Sequence, residues 1–78
     1  MLVIGVCRRS GEFNGFKFDN YLIYFDDPNK KVVFGSCPDF EKVPVKVVEE
    51  FGGVEALQGA DIKFNYNRYG KVQEIVSR

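Results

Sequence analysis

Histidine and tryptophan are both missing from this 78-residue sequence, and cysteine occurs only twice. Without histidine the commonest general base and a major metal ligand are gone, so Ser/His and Cys/His catalysis is excluded. Carboxylates, lysine and tyrosine remain, but no nucleophile and base stand at a recognisable spacing. There is no phosphate-cradling glycine loop and no metal-ligand cluster, and an enzyme is not expected. Asp26-Asp27 and Asp39 with Glu41 lack the spacing of a calcium loop and suit turns better, so no metal or cofactor is expected. Cys7 and Cys37 form neither a disulfide framework nor a CxxC pair; free, partly buried thiols in a reducing cytoplasmic setting are expected. No apolar run approaches the roughly 18 to 20 residues of a membrane span. Met1–Val6 runs into Cys7-Arg8-Arg9 without the pattern of a signal peptide. An excess of charge is absent too, with 11 basic and 11 acidic residues.

What is present is an ordinary globular balance, 45% hydrophobic and 28% charged, carried by 8 Phe and 4 Tyr. Large rings bury much area per residue, which lets a chain this short close a core, and residues 1–78 read as one domain. Leu2, Ile4 and Val6 alternate with Val3, Gly5 and Cys7, which predicts a strand over about 2–12. Asn14-Gly15 is a type I′ hairpin signal, because both central residues need positive φ. An unbulged two-residue loop sets Glu12 opposite Lys17, Arg8 opposite Tyr21, Val6 opposite Ile23 and Ile4 opposite Phe25, with Gly5 or Gly11 as sites where a bulge would shift that register. Asp26–Lys30 concentrates turn formers, and Lys31–Cys37 predicts strand three. From Pro44 the period changes. Val47, Val48 and Phe51 fall on one face, predicting a short helix over 44–51, with a further helical turn at Val54–Gln58. Ile62–Tyr66 and Lys71–Val76, joined by the turn Asn67–Gly70, are strands four and five. The expected core is Ile4, Val6, Ile23, Phe25, Phe34, Val48, Phe51, Ile62 and Phe64.

Five strands with a helix between the third and fourth follow the element order of an OB-fold, so the expected architecture is mainly β (α+β), a small five-stranded antiparallel OB-like barrel. Arg8–Phe18 followed by Tyr21–Phe25 resembles small OB-type single-stranded-DNA-binding proteins of bacteriophages and mobile elements. The resemblance covers the first half of the chain and the final hairpin, without a diagnostic motif. It implies a binding face flanked by the loops between strands one and two and between strands four and five.

Both of those loops are basic and aromatic. The first supplies Arg8, Arg9, Phe13, Phe16 and Lys17, and the last supplies Lys63, Tyr66, Arg68, Tyr69 and Lys71. Cations for phosphates and rings for bases are what single-stranded DNA or RNA requires. Charge is segregated in the same sense: residues 1–24 carry three basic and two acidic groups, 25–59 four and seven, and 60–78 four and two. The competing expectation is a protein-interaction or assembly module, self-associating through sheet edges or apolar loop tips. Zero net charge favours that second function; the Arg and Tyr cluster in the last hairpin favours the first.

Overall fold

A computed structural model describes all 78 residues. The first element, β1 (Leu2–Phe13), turns through Asn14 (φ 50°) and Gly15 (φ 80°) into β2 (Phe16–Asp26). Both positive φ values are those of the expected type I′ turn, and the turn fixes the pairing. Phe13 opposes Phe16, Glu12 opposes Lys17, Arg8 opposes Tyr21 and Val6 opposes Ile23. The register then shifts at a bulge between Val3 and Gly5, so Val3, not Ile4, lies opposite Phe25. One extra residue on the bulged strand moves Ile4 out of the core, where it is 49% exposed, and Val3 into it.

Strand three is not where the sequence pattern put it. Residues 31–37 form no regular element, and β3 is Asp39–Pro44, antiparallel to β2 with Tyr21 opposite Val43 and Tyr24 opposite Phe40. This choice buries Val43 completely and sets the Tyr24 and Phe40 rings 5.5 Å apart, a packing that outweighs the β-propensity of Lys31–Cys37. Prolines sit on both sides of the strand, Pro38 before it and Pro44 at its last position, where a missing N–H costs least. The 27–38 connection is closed at its base by Lys30 to Asp39 (2.9 Å) and by the Asp27 side chain accepting the Asn29 N–H. Phe34, expected in the core, is 92% exposed in this loop.

Two short helices follow, α1 (Val45–Phe51) and α2 (Val54–Leu57). Gly52, at φ 126°, ends the first, with its N–H donating to the Glu49 carbonyl. Strands β4 (Ile62–Tyr66) and β5 (Val72–Ser77) form a second, two-stranded antiparallel sheet. In their turn Asn67 accepts the N–H groups of Tyr69 and Lys71 on its side-chain oxygen, and Gly70 takes φ 76°.

The molecule is thus a small, mainly β α+β structure of five strands in two sheets, ordered β1-β2-β3 and β4-β5. The five strands do not close into the expected OB-like barrel. The sheets meet at one seam, where Leu2 bridges Asp61, the Val3 N–H donates to Ala60 and the Ile62 N–H donates to Met1. At the other seam β3 and β5 lie side by side without a ladder. The core sits between the sheets and the helices: Val3, Ile23, Phe25, Val43, Val47, Val48, Leu57, Ile62, Phe64, Val72 and Ile75 are buried, with Val6, Tyr21 and Phe51 packed at its margin. Phe25 and Phe64 join the two sheets, their ring centroids 5.5 Å apart. No helix is long and apolar enough to cross a membrane.

Candidate nucleic-acid interface

Cross-strand partners in an antiparallel sheet share a face, so the pairing assigns every side chain of β1-β2-β3 to one of two surfaces. Ile23 and Phe25 face the core. Phe16, Phe18, Leu22 and Tyr24 of β2 therefore face away from it, together with their partners Phe13 and Arg9's neighbour Gly11, and with Phe40 and Lys42 of β3. Leu22, Tyr24 and Phe18 are half-buried, while Phe13 and Phe16 at the hairpin tip are 71% and 78% exposed. Gly11 makes room for the Phe18 ring, which crosses its Cα: a Cβ there would stand 2.7 Å from Phe18 Cζ. The Arg9 guanidinium lies 5.2 Å over that ring. The outward face is an aromatic sheet surface with Arg9 and Lys42 as its cations and Asp26, at the far end, as its acid.

Beside this face β3 stops at Pro44, opposite Asn20, and leaves the Lys17–Asp19 edge of β2 uncovered. The step opens a groove of about 460 Å³ between that edge and the turn joining β4 to β5, and Lys17, Lys42 and Lys71 line it. Asp19 and Glu41 line it as well, but both are engaged. Asp19 accepts two hydrogen bonds from Arg8, at 3.0 and 2.6 Å, which hold its carboxyl below the usual carboxylate range. Glu41 accepts the Tyr66 hydroxyl at 2.9 Å; partial burial of that hydroxyl, and then its bond to the carboxylate, push Tyr66 up to about 12. None of the three lysines lies within ion-pair distance of a carboxylate. The groove's acids are neutralised or bonded internally and its cations face solvent.

The residues singled out in the sequence divide accordingly. Lys17 and Lys71 meet in the groove. Arg9, Phe13 and Phe16 lie on the aromatic face. Arg8 is turned to the opposite surface, bound to Asp19 with its guanidinium 5.6 Å over Tyr21. Tyr66 is tied to Glu41. Arg68 stacks on Tyr69 at 5.0 Å and donates to its hydroxyl at 2.8 Å, so the pair forms an exposed plate at the turn. Lys63 projects from β4 between the buried Ile62 and Phe64 and does not line the groove. Phe18, Leu22, Tyr24, Phe40 and Lys42 were not anticipated. Their signal was in the register: once Asn14-Gly15 fixes the hairpin, Phe16, Phe18, Leu22 and Tyr24 fall on the face opposite Ile23 and Phe25. No group of three or more acidic or cysteine side chains is arranged to hold a metal ion. Compared with protein-family models, curated proteins and solved structures, the chain matches none.

Proposed function

We propose that this protein binds single-stranded nucleic acid across the outward face of β1-β2-β3, with the backbone led into the groove beside it. The observation that carries this assignment is the convergence of Lys17, Lys42 and Lys71 on one groove whose acids are already bonded, at the border of an exposed aromatic sheet. Rings stack on bases of any sequence, and unpaired lysines exchange their counterions for phosphates. Phe18, Tyr24 and Phe40 are the stacking surface in the middle of the sheet. Phe13 and Phe16 extend it along the hairpin, and the Arg68–Tyr69 plate extends it beyond the groove. The zero net charge of the chain does not oppose this, because residues 25–59 hold the excess acid and, of the acids there, only Glu41 lines the groove, where it is bonded to Tyr66.

The test is a fluorescence-anisotropy titration of labelled oligothymidine and oligouridine at about 50 and 200 mM salt. Three phosphate contacts give a slope of log affinity against log salt of about −2 for a single strand, and charge reversal of any one groove lysine should flatten it. Wild-type protein that leaves both oligonucleotides unbound at low salt would overturn the assignment.

A further inference from the structure

The loop between β2 and β3 carries an apolar run that its own fold does not use. Val33 is 100% exposed and Phe34 92%, and residues 31–38 take part in no backbone hydrogen bond. Lys31-Val32-Val33-Phe34 is nonetheless a strand-forming sequence, rich in β-branched and aromatic residues. The complementary feature is on β1. Beyond the bulge at Gly5 it is hydrogen-bonded only to β2, so its other edge is open from Cys7 to Phe13. A strand without a sheet and a sheet edge without a strand thus occur in one molecule.

They do not meet within one copy. The loop starts beside Asp26, which pairs with Leu2, and an open edge at Arg9–Glu12 lies about 24 Å or more farther along the sheet at 3.4 Å per residue. A loop of residues 31–38 that must return to Asp39 reaches about 13 Å from its base. We infer that the occupant of the β1 edge is the 31–34 segment of a second copy, added as an antiparallel strand.

Charge and face select one register. Lys31 opposite Glu12 joins two side chains that have no ion-pair partner of their own. The same register sets Val32 beside Gly11 and Phe34 beside Arg9, on the outward face, where they continue the surface begun by Phe18. A one-residue slip would turn Phe34 to the charged side occupied by Arg8 and Asp19. This association stands apart from nucleic-acid binding and is measured without any oligonucleotide.

Sedimentation velocity over a wide range of protein concentration tests it, alongside thermal melting to show that each variant is folded. The wild type should gain mass with concentration, and Phe34→Asp should weaken association about tenfold or more. Lys31→Glu and Glu12→Lys should each weaken it by about three- to fivefold, and their combination should restore it. A wild type that stays monomeric throughout overturns the inference. So does association that is indifferent to Phe34→Asp, or a double charge swap that fails to recover while both single variants are folded.

Discussion

Arg8 grips Asp19 through two hydrogen bonds, Nε to Oδ1 at 3.0 Å and Nη2 to Oδ2 at 2.6 Å. This side-on pairing neutralises the guanidinium and commits two of its five donors to a carboxylate on the face turned away from the aromatic sheet. Although it lies in the first hairpin with Arg9 and Lys17, it is therefore expected to differ from them in function. Arg8→Ala should leave single-strand affinity nearly unchanged, while Lys17→Ala and Lys71→Ala each weaken it and reduce the salt slope by about 0.7. Anisotropy at several salt concentrations reads both quantities. An Arg8→Ala loss as large as that of Lys17→Ala would show that the Asp19 contact opens on binding.

Local rules read the turns of the first and last hairpins correctly, because their information is local, but did not place the bulge that sets Val3 rather than Ile4 opposite Phe25. Asn14-Gly15 and Asn67–Gly70 dictate their turns through φ and side-chain hydrogen bonds that neighbouring residues supply. Strand three was misplaced for the opposite reason. Lys31–Cys37 has the better strand composition, but Asp39–Pro44 has the better partners, Tyr21 for Val43 and Tyr24 for Phe40, and those lie far away in sequence. The same holds for the site. Residue types marked the two loops and the Asn14-Gly15 register sorts the rings of β2 and sets Arg8 on the face of Asp19, yet only the pairing of β3 with β2 brings Phe40 and Lys42 to the outward face.

The core makes a sharper contrast among phenylalanines than composition allows. Phe25 and Phe64 are 6% and 4% exposed and pack against each other, rings tilted, across the two sheets, so either change to Ala should cost about 3 to 5 kcal/mol and come close to unfolding the domain. Phe34→Ala, in the open loop, should leave the melting temperature where it was. Ile4→Ala should cost well under the roughly 2 to 5 kcal/mol of a buried site, since the bulge exposes it. Thermal melts of the four variants check the ranking; a Phe34→Ala melt as low as that of Phe64→Ala would place the loop in the core.

Stability should respond to pH at both ends. Asp19 is depressed by the hydrogen bonds and charge of Arg8, so its contribution is present above the unfolded carboxylate pKa, about 4, and is lost as pH falls through the lower folded value. Asp61, held down by the Met1 ammonium at 2.9 Å, behaves the same way. Tyr66 is raised, to about 12, so its contribution is present below the unfolded value of about 10 and is lost as pH rises towards 12. Tyr66→Phe should flatten the alkaline fall and leave the acid limb alone. Melting temperature against pH for wild type, Asp19→Asn, Asp61→Asn and Tyr66→Phe separates the three groups.

Cys7 and Cys37 are both free and both exposed, the first on β1 opposite Leu22 and the second just before β3. The partial burial expected from the sequence is absent, because Cys7 turns to the outward face of the sheet and Cys37 belongs to the open loop. Both thiols should react with a maleimide in the folded protein, and reductant should leave the melting temperature unchanged. A thiol that labels only in denaturant would contradict the exposure of its strand or loop.

Gly11 separates binding from folding most cleanly. Its Cα lies under the Phe18 ring, and the Cβ of an alanine would stand 2.7 Å from Phe18 Cζ, closer than carbon atoms approach without displacement. The obstructing atom is the far end of a half-buried side chain rather than backbone, so the ring swings aside and the hairpin keeps its register. Gly11→Ala also removes conformational freedom from the unfolded chain, which offsets part of the cost, and the melting temperature should shift little. The Arg9 guanidinium, 5.2 Å over that ring, loses its support, and the middle of the aromatic face loses its flat surface. One stacked ring is worth about 1 to 3 kcal/mol, so single-strand affinity should fall by roughly five- to a hundredfold at unchanged salt slope, since no phosphate contact is touched. Phe18→Ala should reproduce that loss, and adding it to Gly11→Ala should bring little more, because both act on one ring. Affinity that survives both substitutions would remove the sheet face from the interface and leave the lysine groove alone.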